Sequence, residues 1–191
     1  MNSKHMQAIS EMLNDLEPKH KALPYLELDS MMLAQVVEVA KRISQNNIKP
    51  THVQNWVRRK YIPNPEKKKY NCEQVATILL INDLRDIVSL EEVSKLLGYV
   101  NESLVDTSDD RINPTKLYRY YSEIFDRSQM DWRKSLEGLE LEVEETLAGE
   151  EMAEEDREKV AITLVMLNLL ARANLYKQIA KRWLNSQDNI D

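Results

Sequence analysis

The sequence is poor in the residues that disulfides and tight phosphate-binding loops require. Cysteine occurs once, at Cys72, so no disulfide can form within the chain, which favours a reducing cytoplasm as its location. Three glycines and one phenylalanine are present among 191 residues, and no glycine-rich phosphate loop can be found. Leucine, glutamate, lysine and methionine are abundant instead. This composition predicts a mostly helical protein.

Long apolar runs are also lacking. The longest, residues 160–171, is interrupted by Thr163 and Asn168 and is too short to cross a bilayer. The N-terminus has no apolar signal core. We therefore predict a soluble cytoplasmic protein with no membrane partner.

Residue groups that would carry catalysis or hold a metal are missing as well. His5 and His20 are not at metal-ligand spacing from other ligand residues, and no histidine accompanies a nucleophile motif. The acids in 108–110 lack the spacing of a calcium loop, so turns and caps explain them better. We predict no enzymatic activity, no metal and no cofactor.

Charge is distributed unevenly along the chain. The whole sequence carries −6, but residues 49–69 hold seven lysines and arginines against one acid, a local charge of +6 that leaves −12 elsewhere. Counterion release at nucleic-acid phosphates is one physical reason for such a block on an acidic protein. The acidic stretch 137–158 would repel phosphate and is expected to lie away from DNA.

The basic block contains a predicted recognition helix within residues 51–60. Val53, Trp56 and Val57 recur at helical spacing and predict a buried face. Thr51 and Gln54 predict an N-terminal capping box directly after Pro50. The predicted DNA-contacting residues of this helix are Thr51, His52, Gln54, Asn55, Arg58, Arg59 and Lys60. A basic amphipathic helix with a solvated outer face is the alternative.

Helical and turn signals flank this helix on both sides. Before it, Asp29 or Ser30 is expected to cap a helix whose apolar stripe runs from Leu33 to Ile43. After it, prolines at 63 and 65 stop the helix, and a short basic wing follows. The predicted phosphate contacts of this wing are Lys67, Lys68 and Lys69.

Two further capping boxes predict the helices that complete this module. Asn71 with Gln74 opens one helix, and Ser89 with Glu92 opens a second. Gly98 is expected to end the second helix as its C-cap. A helix, a turn, a second helix, a basic wing and a third helix form the pattern of a winged helix-turn-helix.

The sequence also resembles a bacterial family of MerR-like winged helix-turn-helix proteins that carries a domain-of-unknown-function label. The matching strings are Gln54-Asn-Trp-Val-Arg-Arg59, Lys69-Tyr70, Ile81-Asn-Asp-Leu-Arg85, Ser89-Leu-Glu-Glu-Val93, Tyr99-Val-Asn101, Ser108-Asp-Asp110 and Leu117-Tyr118. The similarity covers residues 25–125 and implies DNA binding by a MerR-type module. Trp56 stands where MerR proteins have Arg-Tyr-Tyr, so the MerR contacts of that region are not transferred.

The C-terminal half is predicted to be helical. Asn113-Pro114 is a helix start, followed by an aromatic stripe that includes Tyr118, Tyr120, Tyr121 and Phe125. We interpret this stripe as part of the hydrophobic core. The alternative is that it lines a small-molecule pocket. A long helix from Ala153 to about Asn185 is apolar almost all round between Ile162 and Leu170. Such a helix needs burial on several sides, which predicts a homodimer. The alternative is a monomeric bundle with this helix at its centre.

These observations predict an all-α fold with a small β wing. Its expected parts are an N-terminal helical arm (1–28), a winged helix-turn-helix DNA-binding domain (29–112) and a helical dimerisation or sensor region (113–191). The predicted function is a sequence-specific transcriptional regulator that binds double-stranded DNA as a dimer. The alternatives are a protein-interaction adaptor and a ligand-sensing helical module that responds to a small-molecule effector.

Overall fold

The computed structural model describes residues 11, 18–44, 46–106 and 110–186. The chain is mostly helical with one small two-stranded antiparallel sheet, which confirms the predicted helical fold with a small β element. It divides into two compact units, Glu17–Asp126 and Arg127–Asp191 with Met1–Leu16. The helical arm predicted within residues 1–28 falls largely outside the described residues.

The Glu17–Asp126 unit consists of short elements around one core. A 3₁₀-helical segment, Lys19–Glu27, comes first. It is followed by strand β1 (Ser30–Met32), helices α1 (Leu33–Ile43) and α2 (Pro50–Arg58), strand β2 (Lys69–Asn71), helices α3 (Cys72–Leu84) and α4 (Leu90–Asn101), and the beginning of helix α5 (Pro114–Leu147). This unit extends beyond the predicted 29–112 domain at both ends.

Strands β1 and β2 pair in antiparallel register, with Met31 opposite Tyr70. Both of these central side chains are buried, while their strand neighbours are exposed. The predicted cap at Asp29 or Ser30 is therefore wrong, because Ser30 is committed to the sheet. Helix α1 starts after Met32, whose backbone N–H donates to Gln35 Oε1 at 2.8 Å.

Helix α3 lies in the centre of the core. Every residue from Gln74 to Asn82 is buried. Its predicted capping box is confirmed, since Gln74 N–H donates to Asn71 Oδ1 at 2.9 Å and Asn71 N–H donates to Gln74 Oε1 at 2.8 Å. The core around it also takes Val36, Ile48 and Trp56 from the α1–α2 region. Val53 and Trp56 of the predicted recognition helix belong to the same core as α3.

Helix α4 confirms its predicted start but not its predicted end. Ser89 and Glu92 form the reciprocal capping box. The helix continues through Gly98, whose φ is not positive, so Gly98 is not the C-cap. The physical reason is Asn101, which is buried and holds the helix end by donating from Nδ2 to the Ile112 carbonyl at 2.8 Å.

The second unit contains the end of helix α5 and helix α6 (Glu154–Ser186). The long predicted C-terminal helix is confirmed. A small core joins the two helices through Leu136, Leu139, Val143, Leu147 and Val165. The Arg157 guanidinium of α6 donates to the carbonyl of Leu147, the last residue of α5, and to the carbonyl of Glu150 in the loop between the two helices. A cation at the C-terminal end of α5 is favoured by the helix dipole.

Helix α6 exposes most of its apolar side chains. Leu167 is 57% exposed and Leu170 is 66% exposed. On length and composition alone this helix could cross a membrane, since its apolar 18-residue window has a mean hydropathy of 1.2 and is 6% buried. The absence of a membrane partner stays a prediction.

Candidate nucleic-acid interface

The N-cap of helix α2 lies two residues before the predicted cap, Thr51. Lys49 is the N-cap and Pro50 occupies the first helical turn, so the predicted Thr51/Gln54 capping box is wrong. Proline suits this position because its fixed φ matches the helix and its missing N–H is not needed there. In place of Gln54, His52 Nδ1 accepts from the Lys49 backbone N–H at 3.3 Å.

The apolar face of α2 is buried as its spacing predicted. Val53 is fully buried and Trp56 is 3% exposed, with Val57 packed at the edge of the same core. Trp56 is therefore a core residue that fixes the helix to the unit. Its opposite face is left to solvent: Thr51, Gln54, Arg58, Arg59 and Lys60 are exposed, and His52 and Asn55 are half-buried.

Two arginines at the end of α2 are held by neighbours. Arg58 Nη2 donates to Asn55 Oδ1 at 2.8 Å, so these two side chains form one unit. The Arg59 guanidinium pairs with the Glu91 carboxylate of helix α4 and lies 5.0 Å over the Tyr61 ring. A backbone hydrogen bond at Glu91, followed by the hydrogen bond from Arg59, holds the pKa of the Glu91 carboxyl below its usual range. Arg59 is thus paired with a carboxylate, whereas the partner of Arg58 is a neutral amide.

His52 is fixed in a neutral form. Its Nδ1 is 2.7 Å from Arg85 Nη1, and Arg85 also donates to the Asn47 carbonyl at 3.0 Å. Burial, followed by the charges of Arg85 and Lys49, lowers the pKa of the His52 imidazole from its ordinary value. Because Nδ1 accepts from these donors, the ring proton belongs on Nε2. His52 can therefore offer one N–H donor to a base or phosphate.

Lysines occupy backbone positions that favour glycine. Lys60, Lys67 and Lys68 have φ values of 61°, 48° and 66°. Lys60 follows α2 in a Schellman turn, in which Tyr61 N–H donates to the Trp56 carbonyl and Lys60 N–H to the Val57 carbonyl. A side chain in this left-handed region costs about 1 kcal/mol or more. Glu102, the residue after α4, also has a positive φ, at 41°.

Lys67 and Lys68 form the tip of residues 61–71, which include the predicted basic wing and are called the wing segment below. Lys69 N–H donates to the Glu66 carbonyl at 2.8 Å and closes a tight turn, and Lys67, Lys68 and Lys69 are all exposed. Gln74 anchors the root of this wing segment, since its Nε2 donates to the carbonyls of Pro63 and Asn64 at 3.0 and 3.1 Å. The wing segment is thereby attached to helix α3.

Three of the four aromatic residues predicted as an alternative ligand pocket, Tyr118, Tyr121 and Phe125, lie around the buried Lys19. Tyr118 is fully buried and its hydroxyl donates to the Lys19 carbonyl at 3.2 Å. The Lys19 ammonium lies 4.6 Å from the centre of the Phe125 ring and 2.8 Å from Asp83 Oδ2. Tyr121 donates to the same Asp83 oxygen at 3.1 Å. Tyr120 is exposed and takes no part in this cluster.

Burial, with the nearby carboxylates of Asp83 and Asp126 as further causes, strongly raises the pKa of both Tyr118 and Tyr121. Both phenols are therefore hydrogen-bond donors at neutral pH. The cation that an aromatic pocket would attract is already supplied by the chain.

Sequence reasoning missed three residues that build the candidate interface. Arg85 positions His52, Glu91 positions Arg59, and Gln74 positions the wing segment. Gln74 was assigned only its capping role, and its second amide contact depends on chain folding. Within the described residues, no three His, Cys, Asp or Glu side chains gather as a metal site.

Comparisons with known proteins place the chain in a family. The family described as "Domain of unknown function (DUF1836)" matches residues 18–121, more than half of the chain, and the protein belongs to it. The chain is also 30% identical over 122 residues to the uncharacterized protein YkrK of Bacillus subtilis (strain 168), covering 62% of this chain. It spans 51% of the length of that curated relative. No solved structure matches the chain.

Proposed function

We propose that this protein is a sequence-specific DNA-binding transcriptional regulator with a MerR-like winged helix-turn-helix. Helices α1 and α2 correspond to the helix-turn-helix, α2 to its recognition helix, and residues 61–71 to its wing. The observation that carries the proposal is the set of exposed lysines, Lys60, Lys67 and Lys68, in left-handed turns at the end of α2 and at the wing tip. Cations in such positions suit phosphate contacts along a duplex.

The proposed roles of the α2 side chains follow from their local contacts. Arg58 and Asn55 act as one base-reading pair, because arginine and asparagine have the donor geometry for guanine and adenine edges in the major groove. His52 contributes its Nε2–H, and Gln54 and Thr51 are exposed on the same helix. Arg59, tied to Glu91, positions the helix on the phosphate backbone. Lys60 and Lys67 to Lys69 contact phosphates.

The experiment begins with selection of bound sequences from a random duplex pool, followed by salt titrations with the selected duplex. Arg58→Ala should weaken binding by about 1–3 kcal/mol and relax the preference at one base pair. Lys68→Ala should weaken all sequences alike and reduce the salt slope by about one unit. Lys134→Ala, which removes an exposed cation of α5 in the other unit, serves as the control and should change neither quantity.

Two results would overturn the proposal. If the random pool yields no enriched sequence, the protein does not read bases. If Lys134→Ala lowers the salt slope as much as Lys68→Ala does, net charge rather than a located surface attracts the DNA.

The proposal includes a homodimer formed through helix α6. Helix α6 exposes neighbouring apolar side chains to solvent: Met166 is 53% exposed, Leu167 57% and Leu170 66%. An exposed apolar surface of this kind favours association with a partner. We propose that this partner is a second copy of the chain, because a two-fold symmetric dimer would place two recognition helices on one DNA duplex. Sedimentation velocity should give a dimer that Leu167→Glu with Leu170→Glu dissociates, whereas Gln178→Glu should leave it intact.

Two other occupants of this face are distinguished by the same variants. A protein-interaction adaptor would be a monomer alone, and its apolar contact would be insensitive to salt, unlike DNA binding. Membrane insertion of α6 would appear as flotation with neutral lipid vesicles, against the proposed cytoplasmic location. Either result in place of a dimer would remove the dimer from the proposal and leave the DNA-contact experiment unaffected.

A further inference from the structure

A cavity of about 560 Å³ lies at the root of the wing segment, within the Glu17–Asp126 unit. Its walls come from residues 29–30, the wing segment, the first three turns of α3, the end of α4, residues 103–105, Asp110 and the start of α5. None of Tyr118, Tyr120, Tyr121 and Phe125 lines it. The volume falls within the range of about 300–1,000 Å³ that is usual for small-molecule sites.

The cavity combines an apolar floor with an acidic rim. Leu80 and Leu97 are core residues that present their edges to it, and Leu104 and Leu117 extend the apolar surface. Four carboxylates belong to its lining, those of Asp29, Glu66, Glu73 and Asp110, against the two lysines Lys67 and Lys69.

The placement of these charges favours one sign of ligand. Both lysines are exposed in the wing segment, whereas Glu73 is half-buried in the first turn of α3 and accepts from Asn113 Nδ2. The deeper charge is therefore negative. An anionic ligand would meet these carboxylates at close range, and a cation would be attracted by them.

Two polar side chains of the lining are already hydrogen-bonded. Thr77 Oγ1 donates to the Glu73 carbonyl at 3.0 Å. Asn101 Nδ2 donates to the Ile112 carbonyl, and Asn101 Oδ1 accepts from the Ile112 N–H. The leucines offer dispersion contacts to a hydrocarbon part of a ligand.

We propose that this cavity binds a small organic cation, an amine that carries an apolar body. Its ammonium group lies among the rim carboxylates, chiefly Asp29, Glu66 and Glu73, and its hydrocarbon part lies against Leu80, Leu97 and Leu117. The combination of one charged group with an apolar surface is what gives such a site both orientation and affinity.

Binding in the cavity is coupled to the wing through Gln74. This side chain lines the cavity, is 6% exposed, and makes the two hydrogen bonds to Pro63 and Asn64 that attach the wing root to α3. A ligand seated beside it also contacts the wing segment directly at Glu66. The ligand therefore biases the position of Lys67 and Lys68 and, through them, the affinity for phosphate. This coupling rests on the proposed DNA-binding function, whereas the binding of the amine does not.

The test compares three probes of similar shape: phenethylamine, 2-phenylethanol and 3-phenylpropionate, at equal ionic strength. Titration of the ¹⁵N-labelled protein should show millimolar binding of phenethylamine, with shifts concentrated at the side-chain amides of Gln74 and Asn101. The alcohol and the carboxylate should bind more weakly. Equal binding of all three probes, no binding of the amine, or shifts centred elsewhere would overturn the proposal.

Variants then locate the site without disturbing the core. Asp29→Asn and Glu66→Gln should each weaken phenethylamine binding about two- to fivefold, as expected for exposed charge pairs. Val105→Trp places a large ring at the cavity mouth, where Val105 is 43% exposed, and should abolish binding with an unchanged melting temperature. Glu145→Gln, an exposed acid of the other unit, should have no effect. Unchanged affinity in all three cavity variants would overturn the site.

The same probe, added to the DNA titration, separates this proposal from the proposed function. A change in DNA affinity with phenethylamine, absent in Val105→Trp, supports the coupling. Unchanged DNA affinity at saturating amine overturns the coupling and leaves the amine site in place. Absence of any DNA binding refutes the proposed function, while the probe titration still decides whether the cavity takes the cation.

Discussion

Helices α3 and α6 are both apolar on several sides, yet they are buried to opposite degrees. In α3 every residue from Gln74 to Asn82 is buried. In α6, which has 33 residues, Val165 and Leu184 are the two that reach burial. An all-round apolar pattern therefore indicates that a helix needs partners. It does not indicate whether those partners come from the same chain, and for α6 we propose that they come from a second copy.

The largest expected difference between the two regions concerns tryptophan. Trp56 is 3% exposed in the core behind α2, and Trp183 is 68% exposed on α6. Trp56→Ala should lower the free energy of unfolding by about 3–5 kcal/mol, because it leaves a cavity among packed neighbours. Trp183→Ala should change it by less than about 0.5 kcal/mol. Urea unfolding followed by circular dichroism measures both, and similar losses would mean that α6 is packed as tightly as the core.

Ion pairs provide the second comparison. The side chains of Lys19 and Asp83 are 9% and 6% exposed, whereas those of the α6 pair Lys159 and Glu155 are 66% and 81% exposed. Lys19→Met should cost about 3 kcal/mol, because it leaves a buried carboxylate without its cation. Lys159→Met should cost less than about 0.5 kcal/mol.

The double variant Lys19→Met with Asp83→Leu separates the charge effect from packing. It should recover most of the lost free energy of unfolding, since no buried charge remains uncompensated. Failure to recover would show that the hydrogen bond from Tyr121 to Asp83, rather than the lysine, dominates the cluster.

The third comparison is between a buried asparagine of α3 and an exposed asparagine of α6. Asn82 of α3 is fully buried, and neither its Oδ1 nor its Nδ2 has a hydrogen-bond partner among the described residues. Asn82→Leu should raise the free energy of unfolding by about 1–3 kcal/mol, because an unsatisfied polar group is replaced by hydrocarbon. Asn168→Leu, at an exposed position of α6, should leave it within about 0.5 kcal/mol. A loss of stability in Asn82→Leu would mean that the amide is satisfied in solution.

The smallest effect is expected at the wing tip, where a well-packed unit carries local backbone strain. Replacing Lys67 and Lys68 by Asn and Gly should stabilise the turn by about 1 kcal/mol, because this pair favours positive φ. The salt slope of DNA binding should fall by about two units at the same time. Replacing both lysines by Gln should lower the slope equally without the gain in stability, which distinguishes charge from backbone strain.

Local signals predicted part of the structure. The capping boxes at Asn71 and Ser89 are confirmed, whereas the Thr51/Gln54 box of the same spacing is wrong because Lys49 caps α2. The pattern at Asp29 or Ser30 predicts a helix cap, but Ser30 pairs with Asn71, a strand partner distant in sequence. Gly98 was expected to end a helix that Asn101 instead extends by a contact with Ile112.

The candidate interface was predicted in part. The spacing of Val53 and Trp56 fixed which face of α2 is buried, and the exposure of Arg58 and Lys60 followed. The contacts that hold Arg59 and His52 come from Glu91 and Arg85, whose positions depend on the whole fold. The cavity was not predicted at all, because segments distant in sequence, from residues 29–30 to residues 114–117, form its walls. The burial of Lys19 had no signal in the sequence.

The tip of the wing also determines where the folded chain is open to digestion. Three consecutive lysines, Lys67, Lys68 and Lys69, stand exposed on one tight turn. Exposed turn tips are preferred sites of proteolytic nicking, and trypsin cleaves after lysine. The first cut by trypsin in the described part of the chain should therefore fall within this turn, and a bound polyanion should protect it.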